Sequence, residues 1–272
     1  MKDVSFGWCP DLPDPRDYIP VFSRRRFMPN SVDLRENEFG TFVEASEHFV
    51  DMSCSVSLMR MLDWQSRKWT GHRINGAPKF LHDLAVHVWG GGGHCGVGLR
   101  NVLKTLKRFG VPPSRLTVEA DQEANCLQRP ECFGYSKDYC DLEYFRLDSR
   151  WEAPLDRLNA MKICLADGNP FLLGFTVPST ISRRSTVIPL DANRGGTAGG
   201  TACVVMGFDD LLSVSVHIDG LQQCVIHSET GAFLVWTCWG TDWGKEEFLW
   251  LPYAYVELSF AGDAWAVQGV QP

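Results

Sequence analysis

A cysteine near the start of a predicted helix is the group in this sequence best suited to covalent chemistry. Apolar residues recur on one side of the chain from Ser53 onward, and Ser53 or Ser55 can cap the turn before them, which predicts an amphipathic helix beginning near Cys54. A thiol attacks as its thiolate, and the N-terminus of a helix lowers the pKa of a thiol placed there. Cys54 is therefore a candidate nucleophile.

The elements that must position Cys54 divide the chain into a helical half and a β half. Three further helices are predicted at 80–89, 97–109 and 154–167. Short apolar or alternating runs, separated by glycine and polar turns, predict strands at 170–177, 202–208, 213–218 and 232–239. We expect a single α+β unit over 1–272, with an extended N-terminal segment at 1–45, a mainly helical lobe at 46–165 and a mainly β lobe at 166–272. A cleft is expected between the two lobes.

Composition excludes several classes of function. The chain has 272 residues, of which 44% are hydrophobic, and its formal net charge of -7 makes nucleic acid a poor partner. No run approaches the roughly 18 apolar residues of a membrane helix, and the start carries aspartates instead of an apolar signal core, so we expect no membrane contact and a cytoplasmic location. The ten cysteines are scattered without a Cys-x-x-Cys pair, which indicates reduced thiols and no metal site. Nothing in the sequence indicates a cofactor.

Several blocks of the sequence resemble, in order, the bacterial, propeptide-free branch of the papain-like cysteine peptidases. The opening of that branch is matched by GWCPDLPDPRDY at 7–18 and SVDLR at 31–35, and its nucleophile turn by Ser53-Cys54. Later matches are at 98–111, 168–177, 239–244 and 251–256. The resemblance extends from 7 to about 256. It implies a papain-like two-lobed fold, with a helical left lobe and a β-barrel-like right lobe, and it places the nucleophile at Cys54.

The sequence departs from that family at the positions of the other catalytic groups. His48 stands six residues before Cys54, where the resemblance places the glutamine of the oxyanion hole. Thr201 stands at the position of the catalytic histidine and Thr237 at that of the orienting asparagine, whereas Trp239 matches the tryptophan beside the active site. We expect ordinary peptide hydrolysis to be lost, because no histidine at that position can activate the thiol or protonate the amine leaving group.

Two functions remain open at this point. In the first, Cys54 takes an acyl group from a small-molecule donor, and His48, oriented by Glu47 or Asp51, assists acyl transfer or amide or thioester chemistry. In the second, the protein is a catalytically inactive pseudoenzyme whose inter-lobe cleft binds a peptide, a protein or a small ligand. Under both hypotheses the substrate-binding residues are expected to be Ser53, Thr201, Thr237 and Trp239. Other sources of the missing base are His94, His227 and a partner chain.

Overall fold

The helices of the structure come mainly from the first half of the chain, as predicted. A computed structural model describes residues 7–20, 27–36, 47–90, 96–118, 127, 129–134, 142–149, 152–190, 196–220, 223–240, 243–244 and 247–268; at 36, 47–49, 118, 215–220 and 223–229 it describes the backbone alone. The α-helices are α1 (Ser53–Thr70), α2 (Pro78–Trp89), α3 (Leu99–Phe109), α4 (Arg115–Val118), α5 (Pro130–Gly134), α6 (Pro154–Ala166) and α7 (Ala254–Glu257). Short 3-10 helices span Leu34–Glu36 and Glu47–Met52.

Seven strands form one antiparallel sheet. They are β1 (Ser31–Asp33), β2 (Glu143–Arg146), β3 (Phe171–Pro178), β4 (Thr197–Gly220), β5 (Gln223–Thr237), β6 (Phe248–Pro252) and β7 (Ala261–Gln268). Their order is β2-β7-β3-β4-β5-β6, and β1 also pairs with β4. The α+β class is confirmed, but the expected barrel-like closure is wrong, because in the described part of the chain the outer strands β2 and β6 do not pair with each other.

The long helix α1 is more deeply buried than an amphipathic surface helix. Thirteen of its eighteen residues are buried, and it ends at Gly71, whose φ of 73° suits a glycine and whose N–H donates to the carbonyl of Arg67. The helix packs against the central strand β4 and against α2 and α3. Its first turn therefore lies where the helices meet the sheet, which is the position a reactive residue of a cleft requires.

Two element boundaries differ from the sequence predictions for identifiable reasons. Helix α3 begins at Leu99 instead of at 97, because Val97 forms a parallel bridge with Trp8. The strands expected at 202–208 and 213–218 are one strand, β4, whose pairing with β5 shifts register between Asp209 and Ser213. A polar interruption in the sequence is thus accommodated as an irregularity within one strand.

Among the residues that the structure describes, no helix is both long enough and apolar enough to span a membrane.

Candidate functional site

The first turn of α1 is fastened to β4 by two serine side chains. Ser53 Oγ accepts a hydrogen bond from the backbone N–H of Ala202 at 3.1 Å, and Ser57 Oγ donates to the backbone carbonyl of Ala202 at 3.1 Å. The two serines are four residues apart and so lie on one face of the helix. That face, and Ser53 in particular, adjoins the position at which the resemblance places the catalytic histidine.

Substitution of Ser57 by alanine is expected to destabilise the protein by about 0.5 to 1.5 kcal/mol, because it removes the shorter of two hydrogen bonds to the buried carbonyl of Ala202, the other coming from the Thr201 hydroxyl at 3.5 Å. Ser55 provides the matched control. Its hydroxyl is equally buried but has no hydrogen-bond partner among the described residues, so Ser55→Ala should be neutral or slightly stabilising. Chemical denaturation of both variants measures the difference; equal effects would mean that the contact with Ala202 contributes nothing.

Cys54 points to a different side of the helix. Its side chain is fully buried, and Sγ donates to the carbonyl of Val97 at 3.1 Å and approaches that of Gly7 at 3.5 Å. Burial raises the pKa of the Cys54 thiol well above its ordinary value, and the nearby carboxylates of Asp11 and Asp263 raise it further. These surroundings stabilise the protonated thiol, the opposite of what the N-terminus of a helix does for an exposed cysteine.

Thr201 and Thr237 lie close together in the sheet, on β4 and β5. Cys203 is paired with Thr237 across the two strands, and side chains two residues apart on a strand share a face, so both threonines lie on the same face. Both are fully buried, and the Thr237 hydroxyl has no hydrogen-bond partner among the described residues. Trp239 is also buried, with its ring 6.0 Å from that of Phe175. The structure thus places Ser53, Thr201, Thr237 and Trp239 around the start of β4.

The side chains of the three candidate histidines lie outside the described part of the chain. Residue 48 lies in the 3-10 helix Glu47–Met52, but its side chain lies outside the described residues, as do His94 and the side chain of residue 227. No described histidine side chain forms a hydrogen bond with Ser53 or Cys54. The same described residues contain no cluster of three or more metal-ligating side chains. The Cys54–His48 pair therefore stays a prediction.

A stretch of the N-terminal segment, to which sequence reasoning assigned no role in the site, lies beside Cys54 and on the face of β4 opposite to Thr201 and Thr237. The N–H of Trp8 donates to the carbonyl of Gly200 at 2.9 Å, and the N–H of Val97 donates to the carbonyl of Gly7 at 3.0 Å. Gly7 itself donates to the carbonyl of Val50 at 3.2 Å. The segment therefore connects the residues before α1 and α3 to the start of β4, beside Thr201.

The indole ring of Trp8 occupies a space that two strand glycines leave open. A Cβ atom at Gly174 would lie 2.1 Å from Cε2 of the ring, and one at Gly200 would lie 2.7 Å from Cε3. Asp263 accepts a hydrogen bond from Nε1 of Trp8 at 3.2 Å. Glycine inside a strand often marks the close approach of another group, so Gly174 and Gly200 were the sequence signal for this pocket.

Structural comparison places this geometry among papain-like proteins. The chain is similar to xylellain, a cysteine protease from Xylella fastidiosa, with a TM-score of 0.73 and 22% identity over 98% of this chain and 97% of that one. It is also similar to digestive procathepsin L 3 of the Tenebrio molitor larval midgut (TM-score 0.61, 15% identity, 96% and 75% of the chains) and to a procathepsin B from Trypanosoma congolense (TM-score 0.63, 17% identity, 97% and 85%). The chain therefore has the fold of the papain-like cysteine proteases.

A comparison of sequences also finds a peptidase-like protein, over a smaller part of the chain. The chain is 24% identical over 181 residues to an uncharacterized peptidase C1-like protein of Acanthamoeba polyphaga mimivirus. The match covers 64% of this chain and 52% of the viral protein, so the chain spans about half the length of the curated relative it matches. No family model matches the sequence.

Proposed function

We propose that this protein is a papain-like pseudoenzyme, in which Ser53 and not Cys54 stands at the nucleophile position. One observation supports this most directly: Ser53 Oγ contacts Ala202 N at 3.1 Å, beside Thr201, whereas Cys54 Sγ is bonded to the carbonyl of Val97 on another side of α1. Adjacent residues of a helix point about 100° apart, so only one of them can face the histidine position. In this chain the residue on that side is Ser53.

The side chains of Ser53, Thr201 and Thr237 cannot support nucleophilic catalysis. A serine hydroxyl needs an adjacent base, and the hydroxyls of Thr201 and Thr237 do not accept a proton near neutral pH. Counted from Ser53, the six-residue spacing to the oxyanion position reaches Glu47, a carboxylate that would repel a developing oxyanion. Peptide hydrolysis and acyl transfer through this site are both disfavoured.

The ligand class that the site suits best is a polypeptide in an extended conformation. The chain's own residues 7–9 lie in an extended path beside Cys54, fixed by backbone hydrogen bonds to Val97 and Gly200 and by the ring of Trp8. A groove that satisfies the backbone groups of one extended segment can satisfy those of another. We therefore propose peptide or protein binding in the inter-lobe cleft.

The test is the pH dependence of alkylation of Cys54 by iodoacetamide, read by peptide mass spectrometry in the native protein and in His48→Ala. We expect slow labelling of Cys54 at neutral pH, unchanged by His48→Ala, because the raised pKa of the buried thiol leaves little thiolate. Cys9, which is exposed, is the internal control and should be labelled promptly.

Rapid labelling of Cys54 below neutral pH that disappears in His48→Ala would overturn the proposal. It would establish the Cys54–His48 pair and favour the acyl-transfer function. Cleavage of an unfolded casein substrate by the unmodified protein, lost in Cys54→Ala, would likewise contradict it.

A further inference from the structure

A pocket lies at the edge of the sheet, away from the candidate site. It has a volume of about 540 Å³ and is lined by the N-terminal segment at 14–18, by Lys104 and Lys107 of α3, and by residues 143–145 of β2. In the sheet, β7 and β3 separate β2 from β4, so β2 and β4 lie three strand spacings, or about 14 Å, apart. We call this surface the edge pocket, and none of its described lining residues belongs to the candidate site.

The strand β2 presents an open backbone edge to this pocket. The N–H of Leu147 donates to the carbonyl of Ala264 in β7, whereas the N–H of Arg146 points outward and donates to the carbonyl of Tyr18, both at 2.8 Å. Backbone groups alternate in direction along an antiparallel strand, so the N–H and the carbonyl of Tyr144 also point outward. Within the described part of the chain, neither of these two groups has a hydrogen-bond partner on that side. One donor and one acceptor of β2 are therefore available to a further strand.

Two carboxylates of the edge pocket are already neutralised. Asp14 accepts hydrogen bonds from Nε and Nη2 of Arg16 at 2.9 and 2.8 Å. Asp17 accepts from Nε of Arg100 at 2.8 Å and from Nη1 of Arg146 at 3.3 Å. Each carboxylate thus has a guanidinium group within hydrogen-bond distance, so neither adds uncompensated negative charge to the pocket.

Two ammonium groups of α3 lack a full counter-charge. Lys104 and Lys107 are three residues apart and therefore lie on one face of the helix. Lys104 Nζ lies 3.8 Å from Oδ2 of Asp14, a carboxylate that an arginine already binds. Lys107 is in no ion pair with a described residue, and its Nζ lies 5.7 Å from the centre of the Tyr144 ring. Glu143, the remaining carboxylate of the lining, lies on the opposite face of β2 from Tyr144, so the pocket favours an anionic ligand.

An extended peptide with acidic side chains matches these features better than a small anion does. A small anion would leave the outward N–H and carbonyl of Tyr144 without partners. A peptide satisfies both groups with its own backbone, and its alternate side chains lie on one face, where a carboxylate can reach the two lysines. The side chain of Tyr18, which is 68% exposed, offers apolar surface beside the same edge.

We propose that the edge pocket binds an extended acidic segment of a partner protein, which pairs with β2 at Tyr144 and places a carboxylate against Lys104 and Lys107. The segment adds a strand to the sheet. Its backbone hydrogen bonds supply affinity, and the lysines select for acidic side chains. The edge pocket is separate from the cleft of the proposed function, so either proposal can fail without the other.

The first experiment is calorimetric titration of the full chain with the acetylated and amidated peptide Thr-Val-Glu-Val-Glu-Val-Thr at low and at moderate ionic strength. We expect binding tighter than about 1 mM, which weakens as salt is added because salt screens the charges. The matched peptide with lysine in place of both glutamates should bind at least about tenfold more weakly. Absence of binding, or equal affinity for the two peptides, would overturn the proposal.

Charge reversal on α3 locates the binding site. In Lys107→Glu the affinity for the acidic peptide should fall by about tenfold or more, because a carboxylate then faces the ligand. Arg108→Glu is the matched control, since Arg108 is adjacent and exposed but does not line the pocket. It changes the net charge equally and should reduce the affinity by less than about threefold. Equal losses in the two variants would contradict the edge pocket, and they are also the result expected for a peptide bound in the inter-lobe cleft.

Amide exchange, followed residue by residue by NMR, tests the strand pairing. With the acidic peptide in excess, exchange of the Tyr144 N–H should slow by about tenfold or more, whereas that of Leu147, already bonded to Ala264, should change little. Unchanged exchange at Tyr144 in the saturated complex would overturn the pairing with β2. Dimerisation of the peptide-free protein that Lys107→Glu abolishes, measured by sedimentation, would assign the edge to a second copy of the chain and would also overturn the proposal.

Discussion

Substitution of Gly174 by alanine is expected to expel the ring of Trp8 and to detach the N-terminal segment. The new Cβ would lie 2.1 Å from Cε2 of the ring, and Gly174 cannot move away because it is paired with Ala202 in the middle of the sheet. The loss should approach that of removing the ring itself, about 3 to 5 kcal/mol for a buried aromatic side chain. Denaturant unfolding measures the free energy, and limited proteolysis between residues 10 and 20 reports the detachment.

A double-mutant cycle separates this effect from a general weakening of β3. In a Trp8→Ala background, Gly174→Ala should cost little, because the space that the Cβ enters is then empty. Gly134→Ala is the control for the glycine substitution itself, since its Cβ would meet nothing within 4 Å. Additive effects of Trp8→Ala and Gly174→Ala would show that the ring does not occupy this pocket.

Much of the fold could be predicted from the sequence, because the features that determine it are local or follow a recognisable pattern. The stop of α3 at Gly110 and the start of α1 beside Cys54 are found as predicted. The expected serine cap of α1 is wrong, because Met52 stands at the N-cap without a side-chain hydrogen bond and Ser53 and Ser55 lie within the helix. The sequence did not predict that the sheet is open. Openness depends on whether β2, in the helical half of the chain, pairs with β7 or closes onto β6, which is decided by contacts between distant residues.

The sequence predicts the helical turn that carries Ser53 and Cys54, but it does not predict which of the two residues contacts β4. Ser53 and Cys54 are adjacent, and the motif contains both, so the order of residue types cannot say which one faces β4. The second serine contact, from Ser57, gives the helical phase: residues 53 and 57 share the face toward Ala202. The four-residue spacing of Ser53 and Ser57 would have predicted this helical phase if β4 had been known to be their partner.

The sequence could not have revealed one buried cluster of charged side chains, whose members are Asp11, Asp17, Arg100, Arg146, Asp148 and Asp263. Its members come from the N-terminal segment, from α3 and from the region of β2 and β7, and Asp11 and Asp263 are 252 residues apart. Each aspartate alone is indistinguishable from a solvated surface carboxylate. Only the fold brings them together and removes them from water, and the same burial produces the raised pKa of Asp11.

Rebuilding the family's catalytic pair on Ser53 is expected to create a reactive thiol where the natural protein has none. In Cys54→Ala, the further changes Ser53→Cys and Thr201→His place a thiol at the residue that contacts Ala202 and an imidazole at the residue next to Ala202 in β4. A neighbouring imidazolium and the N-terminus of α1 both lower the pKa of a thiol, so alkylation at pH 6 should be at least about tenfold faster than in a matched variant with Thr201→Asn. Iodoacetamide labelling measures the rate.

The same histidine, introduced without moving the thiol, decides which residue occupies the nucleophile position. Thr201→His in the otherwise natural chain leaves Cys54 on the side of α1 that faces Val97, where its thiol donates to a carbonyl. Its labelling at pH 6 should therefore stay as slow as in the natural protein, since an imidazole activates only a thiol within hydrogen-bond reach. Activation of Cys54 by Thr201→His, equal to that of the cysteine introduced at 53, would return the nucleophile to Cys54 and restore the acyl-transfer function as the better account of the site.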